Sequence, residues 1–144
     1  MSNEELPLGF LFSGHHSGVK SDEAVPDYSI FASEVGAVCV GVFTQNLVSA
    51  APVDWCRDHT PQVNCRAIVV NSGNANACTG QQGKRDVETM ASAVAEELNI
   101  DSEQVLVMST GIIGVHLDMD KIEPAAATGC RQLNSTRTAF LAAA

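Results

Sequence analysis

The stretch VLVMSTGIIG, residues 105–114, limits this chain more than any other. Residues 105–108 are apolar without a break, which is the character of a strand buried on both faces rather than one that wets a side. The run then breaks at Ser109, Thr110 and Gly111, and Gly114 follows three residues later. A strand that stops at such a corner turns its backbone out of the ladder, and glycine permits the positive φ or the close approach this requires. Amides freed there can converge on an anion or on a developing oxyanion. The plainer alternative is a turn that merely ends a strand, and local sequence alone favours it, because short motifs often match without the chemistry.

Other segments read less specifically. Residues 9–18, GFLFSGHHSG, suggest a short strand, a turn and the start of a return strand, with residues 20–26 a polar loop. Residues 28–32 and 37–44 read as two strands joined by a polar turn at 33–36. The second is apolar at nearly every position, as the middle of a covered sheet requires. Residues 51–57, APVDWCR, read as a further strand and 58–64 as a polar loop. Residues 66–71, RAIVVN, form a buried strand that runs into an irregular Gly/Asn segment at 72–83. The clearest helix spans residues 84–98, where Val87, Met90, Ala91, Val94 and Leu98 recur at three- and four-residue steps. Residues 116–122 suggest a helical turn, and Glu123-Pro124 the start of a separate helix. Asn134 and Ser135 are cap-type residues ahead of an apolar helix at 136–144. That last piece carries no stop signal, so a longer protein cut or processed at Ala144 is expected. Strands mixed with helices, the clearest ones continuously apolar, predict a single α/β layered domain over residues 1–144.

Charge and cysteine usage exclude several classes. The formal net charge is -9, with no cluster of Lys or Arg, so nucleic acid and anionic membranes are poor partners. The start, MSNEELPLGF, is acidic and lacks the pattern of a signal peptide, and no apolar run reaches the roughly 18 residues of a membrane span. A cytoplasmic location is expected. Cys39, Cys56, Cys65, Cys78 and Cys130 are odd in number and include no CxxC pair, which argues against zinc and against a disulfide scaffold.

Candidate chemistry is sparse. The segment after Asn71 lacks both GxxxxGK[ST] and GxGxxG, so Asn71, Asn74 and Asn76 are expected to satisfy the backbone of their own loop. Adjacent His15 and His16 suit a solvated turn and no metal. His59 and His116 stand alone. Asp118 and Asp120 do not share a helix face. No nucleophile with an obvious base can be assigned.

Several stretches together resemble the α chain of the ornithine acetyltransferase (glutamate N-acetyltransferase) family. They are GVFTQN at 41–46, AAPV at 50–53, RAIVVNSGNANACTG at 66–80, VLVMSTGIIG at 105–114 and MDKI at 119–122. The resemblance implies a layered α-β-β-α sandwich arranged like the N-terminal-nucleophile enzymes. It implies a precursor that cuts itself before a threonine, which becomes the N-terminal nucleophile of a β chain with its own amino group as base. That threonine takes acetyl from N-acetylornithine and passes it to glutamate, with no cofactor and no metal. The α chain supplies the oxyanion hole from Thr110 and Gly111. Pairs of αβ units are implied, and substrate contacts are expected beyond Ala144. Rival expectations are a self-processing aminopeptidase-type hydrolase subunit and a non-catalytic binding module using the Asn/Gly loop.

Overall fold

The computed structural model describes residues 6–144, so the acidic residues 1–5 at the start of the segment read above as no signal peptide lie outside it. Four strands, β1 (Phe10–His15), β2 (Tyr28–Cys39), β3 (Gln62–Asn74) and β4 (Val105–Ile112), form one sheet in the order β1-β2-β3-β4. The first two pairings are antiparallel and the β3–β4 pairing is parallel. A parallel pair needs a long crossover, and α2 (Gly80–Leu98) supplies it. The remaining helices are α1 (Ala51–Asp58), α3 (Met119–Gln132) and α4 (Arg137–Ala143).

Alternation along the strands divides the sheet into two faces. Tyr28, Ile30, Ala32, Ala67, Val69, Val105 and Val107 lie on one, packed against Val87, Met90, Ala91 and Val94 of α2 and Ile122, Ala125 and Ala126 of α3. This is the core, and the expected stripe of α2 faces it. On the other face Phe12 meets Phe31 and Phe140 edge-on, with ring centroids 5.9 and 5.2 Å apart, beneath Ala139 and Ala143 of α4. Toward β4 that second face is less covered, and Met108 there is 53% exposed. The mixed α/β class agrees with the sequence.

Several local expectations do not hold. Residues 51–57 are helical, not a strand: Pro52 occupies the first turn and is buried. The helix lies along the open edge of β4, where Trp55 Nε1 donates to the Val105 carbonyl at 2.9 Å and Cys56 Sγ to that of Val107 at 3.2 Å. The helix thereby covers a sheet edge that would otherwise be unpaired. No turn separates residues 28–32 from 37–39. β2 runs through them with a register shift between Ala32 and Ala37. Beyond Cys39 the apolar run leaves the sheet, and Val40 and Val42 are 76% and 100% exposed. β3 begins at Gln62, inside the expected loop. Pro124 sits within α3, which already starts at Met119. The cap of α4 is Thr136, whose Oγ1 accepts from the Ala139 amide at 3.2 Å, while Asn134 instead bridges to Phe12.

Candidate functional site

The ends of β3 and β4 meet at two glycines. Gly73 (φ 120°) and Gly111 (φ 132°) are register partners, and a β-carbon on Gly111 would lie 2.3 Å from the Gly73 carbonyl carbon and 2.6 Å from the Asn74 nitrogen. No other residue fits there. Asn74 then pairs with both Thr110 and Ile112, a bulge that lets the two strands continue past the glycines. β4 therefore does not stop at Ser109 as the sequence suggested. It runs to Ile112, and the Ala75 amide donates to the Ile112 carbonyl at 2.9 Å. Thr110 and Gly111 lie at this junction and both are exposed.

Asn71 and Asn76 serve the loop's own backbone as expected, whereas Asn74 also reaches out of it to a second segment. Asn74 Nδ2 donates to the carbonyls of Val115 and His116, each at 3.0 Å, and its Oδ1 accepts from the Asn76 amide at 2.8 Å. The segment after Gly114 is thus tied to the end of β3. Asn76 (φ 46°) donates to the Gly83 carbonyl at 2.9 Å and accepts from Thr79 Oγ1 at 2.6 Å, fixing the start of α2. Both side chains are buried, so the loop does not hold them out to a ligand.

One support of the junction was not legible in the sequence. Asp27 is buried and accepts from the amides of Ser17 at 2.5 Å and Lys20 at 2.8 Å, with His16 Nδ1 3.4 Å away. Burial pushes the Asp27 carboxyl up, but the Lys20 and Ser17 amides, the Ser17 side chain and the His16 charge outweigh it and hold its pKa below the ordinary carboxylate value. The loop so anchored packs on Gly73, where a β-carbon would meet Val19 Cγ1 at 2.9 Å. His15 and His16 are consequently not a free turn. His15 ends β1 with its ring 5.4 Å from that of Tyr28, and burial lowers its pKa.

The other sequence candidates scatter. His59 Nδ1 lies 2.8 Å from the Trp55 carbonyl, His116 is exposed, and Asp118 pairs with Lys121 Nζ at 2.9 Å. All five cysteines are free thiols. Among the described residues no group of three or more His, Cys, Asp or Glu is placed to hold a metal ion, and no Ser, Thr or Cys side chain is hydrogen-bonded to a histidine. No helix of the described residues is long and apolar enough to cross a membrane. An apolar groove of about 430 Å³ lies between α1, residues 39–43 and β4, lined by Cys39, Phe43, Val53, Leu106 and Met108. It reaches Ser109, the neighbour of Thr110.

The chain as a whole is similar to known proteins. The chain is 48% identical over 118 residues to the arginine biosynthesis bifunctional protein ArgJ of Caldanaerobacter subterraneus, covering 82% of this chain and 29% of that protein. It is 39% identical over 139 residues to the protein of the same name from Rhodopirellula baltica, covering 96% and 34%. The chain thus spans about a third of the length of the curated relatives it matches. Among solved structures, ornithine acetyltransferase of Mycobacterium tuberculosis, complexed with ornithine, superposes with a TM-score of 0.91 at 35% identity, over 96% of this chain and 74% of that one. ArgJ of Bacillus halodurans superposes with a TM-score of 0.88 at 36% identity, over 94% and 70%. Since the ArgJ family profile also matches residues 11–144, nearly the whole chain, the chain belongs to the ArgJ family.

Proposed function

We propose that this chain is the α segment of an acetyltransferase that moves the acetyl group of N-acetylornithine to glutamate, and that Thr110 and Gly111 are its oxyanion hole. The observation that carries this reading is the exposed Thr110–Gly111 junction, held by the Gly73 contact and by the pairing of Asn74 with Thr110 and Ile112. A donor aimed at developing charge acts only if it is preorganised. Gly111 can donate only through its amide. Thr110 has both an amide and a hydroxyl.

The nucleophile belongs to a β chain that begins with threonine after self-cleavage of a common precursor. Its hydroxyl attacks the acetyl carbonyl while its own amino group takes the proton. The carbonyl oxygen becomes an oxyanion facing Thr110 and Gly111. The tetrahedral adduct then expels ornithine, whose amine receives the proton, and leaves an acetyl-threonine ester. The glutamate amine attacks that ester through a second oxyanion at the same place, giving N-acetylglutamate and free threonine. No cofactor enters. The αβ units pair, and the enzyme works in the cytoplasm.

The complete gene product tests this directly. Mass spectrometry of the purified protein should find a second chain beginning with threonine, and incubation with N-acetylornithine should leave an acetyl group on that residue, discharged by glutamate. Peptide hydrolysis without acetyl transfer would instead mark an aminopeptidase-type hydrolase. An uncleaved protein with neither activity would favour a binding module.

A further inference from the structure

Four residues, one from each strand, form a row across the sheet: His15 pairs with Tyr28, Tyr28 with Asn71, and Asn71 with Ser109. Register partners share a face, and this row lies on the face covered by α2 and α3, where Tyr28 belongs to the core. Each member carries a buried polar atom without a hydrogen-bond partner among the described residues. These are both ring nitrogens of His15, the Tyr28 hydroxyl, Asn71 Oδ1 and Ser109 Oγ. Tyr28 is 1% and Asn71 0% exposed. A buried polar group without a partner forfeits its hydration for nothing, and native structures hold few of them. Four in consecutive register positions are a pattern rather than scatter.

Their chemistry is complementary. Asn71 Oδ1 only accepts, the two hydroxyls donate and accept, and a neutral imidazole offers one of each. The Asn71 amide nitrogen is already committed to the Asn74 carbonyl at 2.9 Å, which fixes the amide plane and leaves Oδ1 as the acceptor. A cation finds no carboxylate in the row, and nearby Asp27 is engaged by Ser17, Lys20 and His16. The row also stands at the junction itself. Ser109 is bonded to Thr110, and Asn71 lies two residues before Gly73.

We propose that this row is a buried water-binding site whose ordered water links Ser109 and Asn71 to Tyr28 and thereby positions the Thr110–Gly111 junction. Water is a neutral donor and acceptor that makes about three hydrogen bonds in such sites, and it fits between side chains on strands about 4.8 Å apart. Ser109, Asn71 and Tyr28 are positioning residues. The catalytic consequence rests on the oxyanion reading above, whereas the water site does not.

The test is a crystal structure of the complete protein, at a resolution that shows ordered water, for the parent and for Ser109→Ala. The parent should show water within hydrogen-bond distance of Asn71 Oδ1 and of Ser109 Oγ or the Tyr28 hydroxyl, and Ser109→Ala should lose or shift it. Absence of water from the row, a direct bond between these side chains, or water unchanged in the variant would overturn the site. In acetyl-transfer assays, Ser109→Ala and Tyr28→Phe should lower kcat by about tenfold with KM little changed, as a misplaced donor does. An unchanged kcat in both variants overturns the positioning role. A parent that transfers no acetyl group refutes the proposed function, and the crystallographic comparison still decides the water site.

Discussion

Gly111 rests on Gly73 so closely that a β-carbon added to Gly111 would lie 2.4 Å from the Gly73 carbonyl oxygen, although the two residues come from separate strands. The contact makes the backbone of one strand the floor of the other. It also explains why the motif at 109–111 needs the Asn/Gly segment at 71–74 beside it.

Gly111→Ala combines that clash with a φ of 132° that side-chain-bearing residues rarely adopt. The expected loss is about 3 kcal/mol or more of stability, from strain at this position. Chemical denaturation of the complete protein measures it, and wild-type stability would contradict the geometry.

Thr110→Pro removes the amide and the hydroxyl together and should lower turnover by about a hundredfold or more, the effect of losing an oxyanion donor. Thr110→Ser keeps both groups and should stay close to wild type. Thr110→Ala keeps only the amide, so its rate apportions the two donors. A folded Thr110→Pro enzyme with normal turnover would remove Thr110 from the oxyanion hole.

Asn74→Leu gives up two donated bonds to Val115 and His116 and one accepted from Asn76. With several backbone groups left unpaired, a loss of about 3 kcal/mol is expected. Hydrogen exchange should show residues 113–116, just after β4, opening before β4 itself. Protection equal to wild type in that segment would show that the side chain is not the tie.

Acid stability should fall in two steps. His15 has a folded-state pKa below its ordinary 6.5 because burial disfavours the cation. Its contribution is therefore full above 6.5 and is lost as pH falls through the depressed value. Asp27 is held below its ordinary 3.8, so its contribution is full above that value and is lost only at still lower pH. Unfolding midpoints against pH should show His15→Gln removing the first step and Asp27→Asn the second. An unaltered profile in His15→Gln would assign the first step elsewhere.

Much of the fold was legible locally. The stripe of α2 and the apolar runs of β3 and β4 announce themselves because each residue's burial follows from the period of its own element. The stretch around Thr110 and Gly111 pointed to the family by resemblance, and the inward use of Asn71, Asn74 and Asn76 was legible from the chemistry of their side chains. The helical state of residues 51–57 had a weaker signal, Pro52 in the first turn followed by Asp54, which the apolar pattern masked.

By itself, then, the sequence determined the elements with a strong period, the α/β class and the family. The tertiary structure decided the rest, because those outcomes depend on groups distant along the chain. Trp55 and Cys56 make α1 a helix by reaching the carbonyls of Val105 and Val107 on an edge no local pattern reveals. Val40 and Val42 are as apolar as Val105 and Val107 yet stand exposed, since burial is a property of what covers a residue. The junction of Gly73 with Gly111, and the row from His15 to Ser109 beneath it, exist only once four strands come into register.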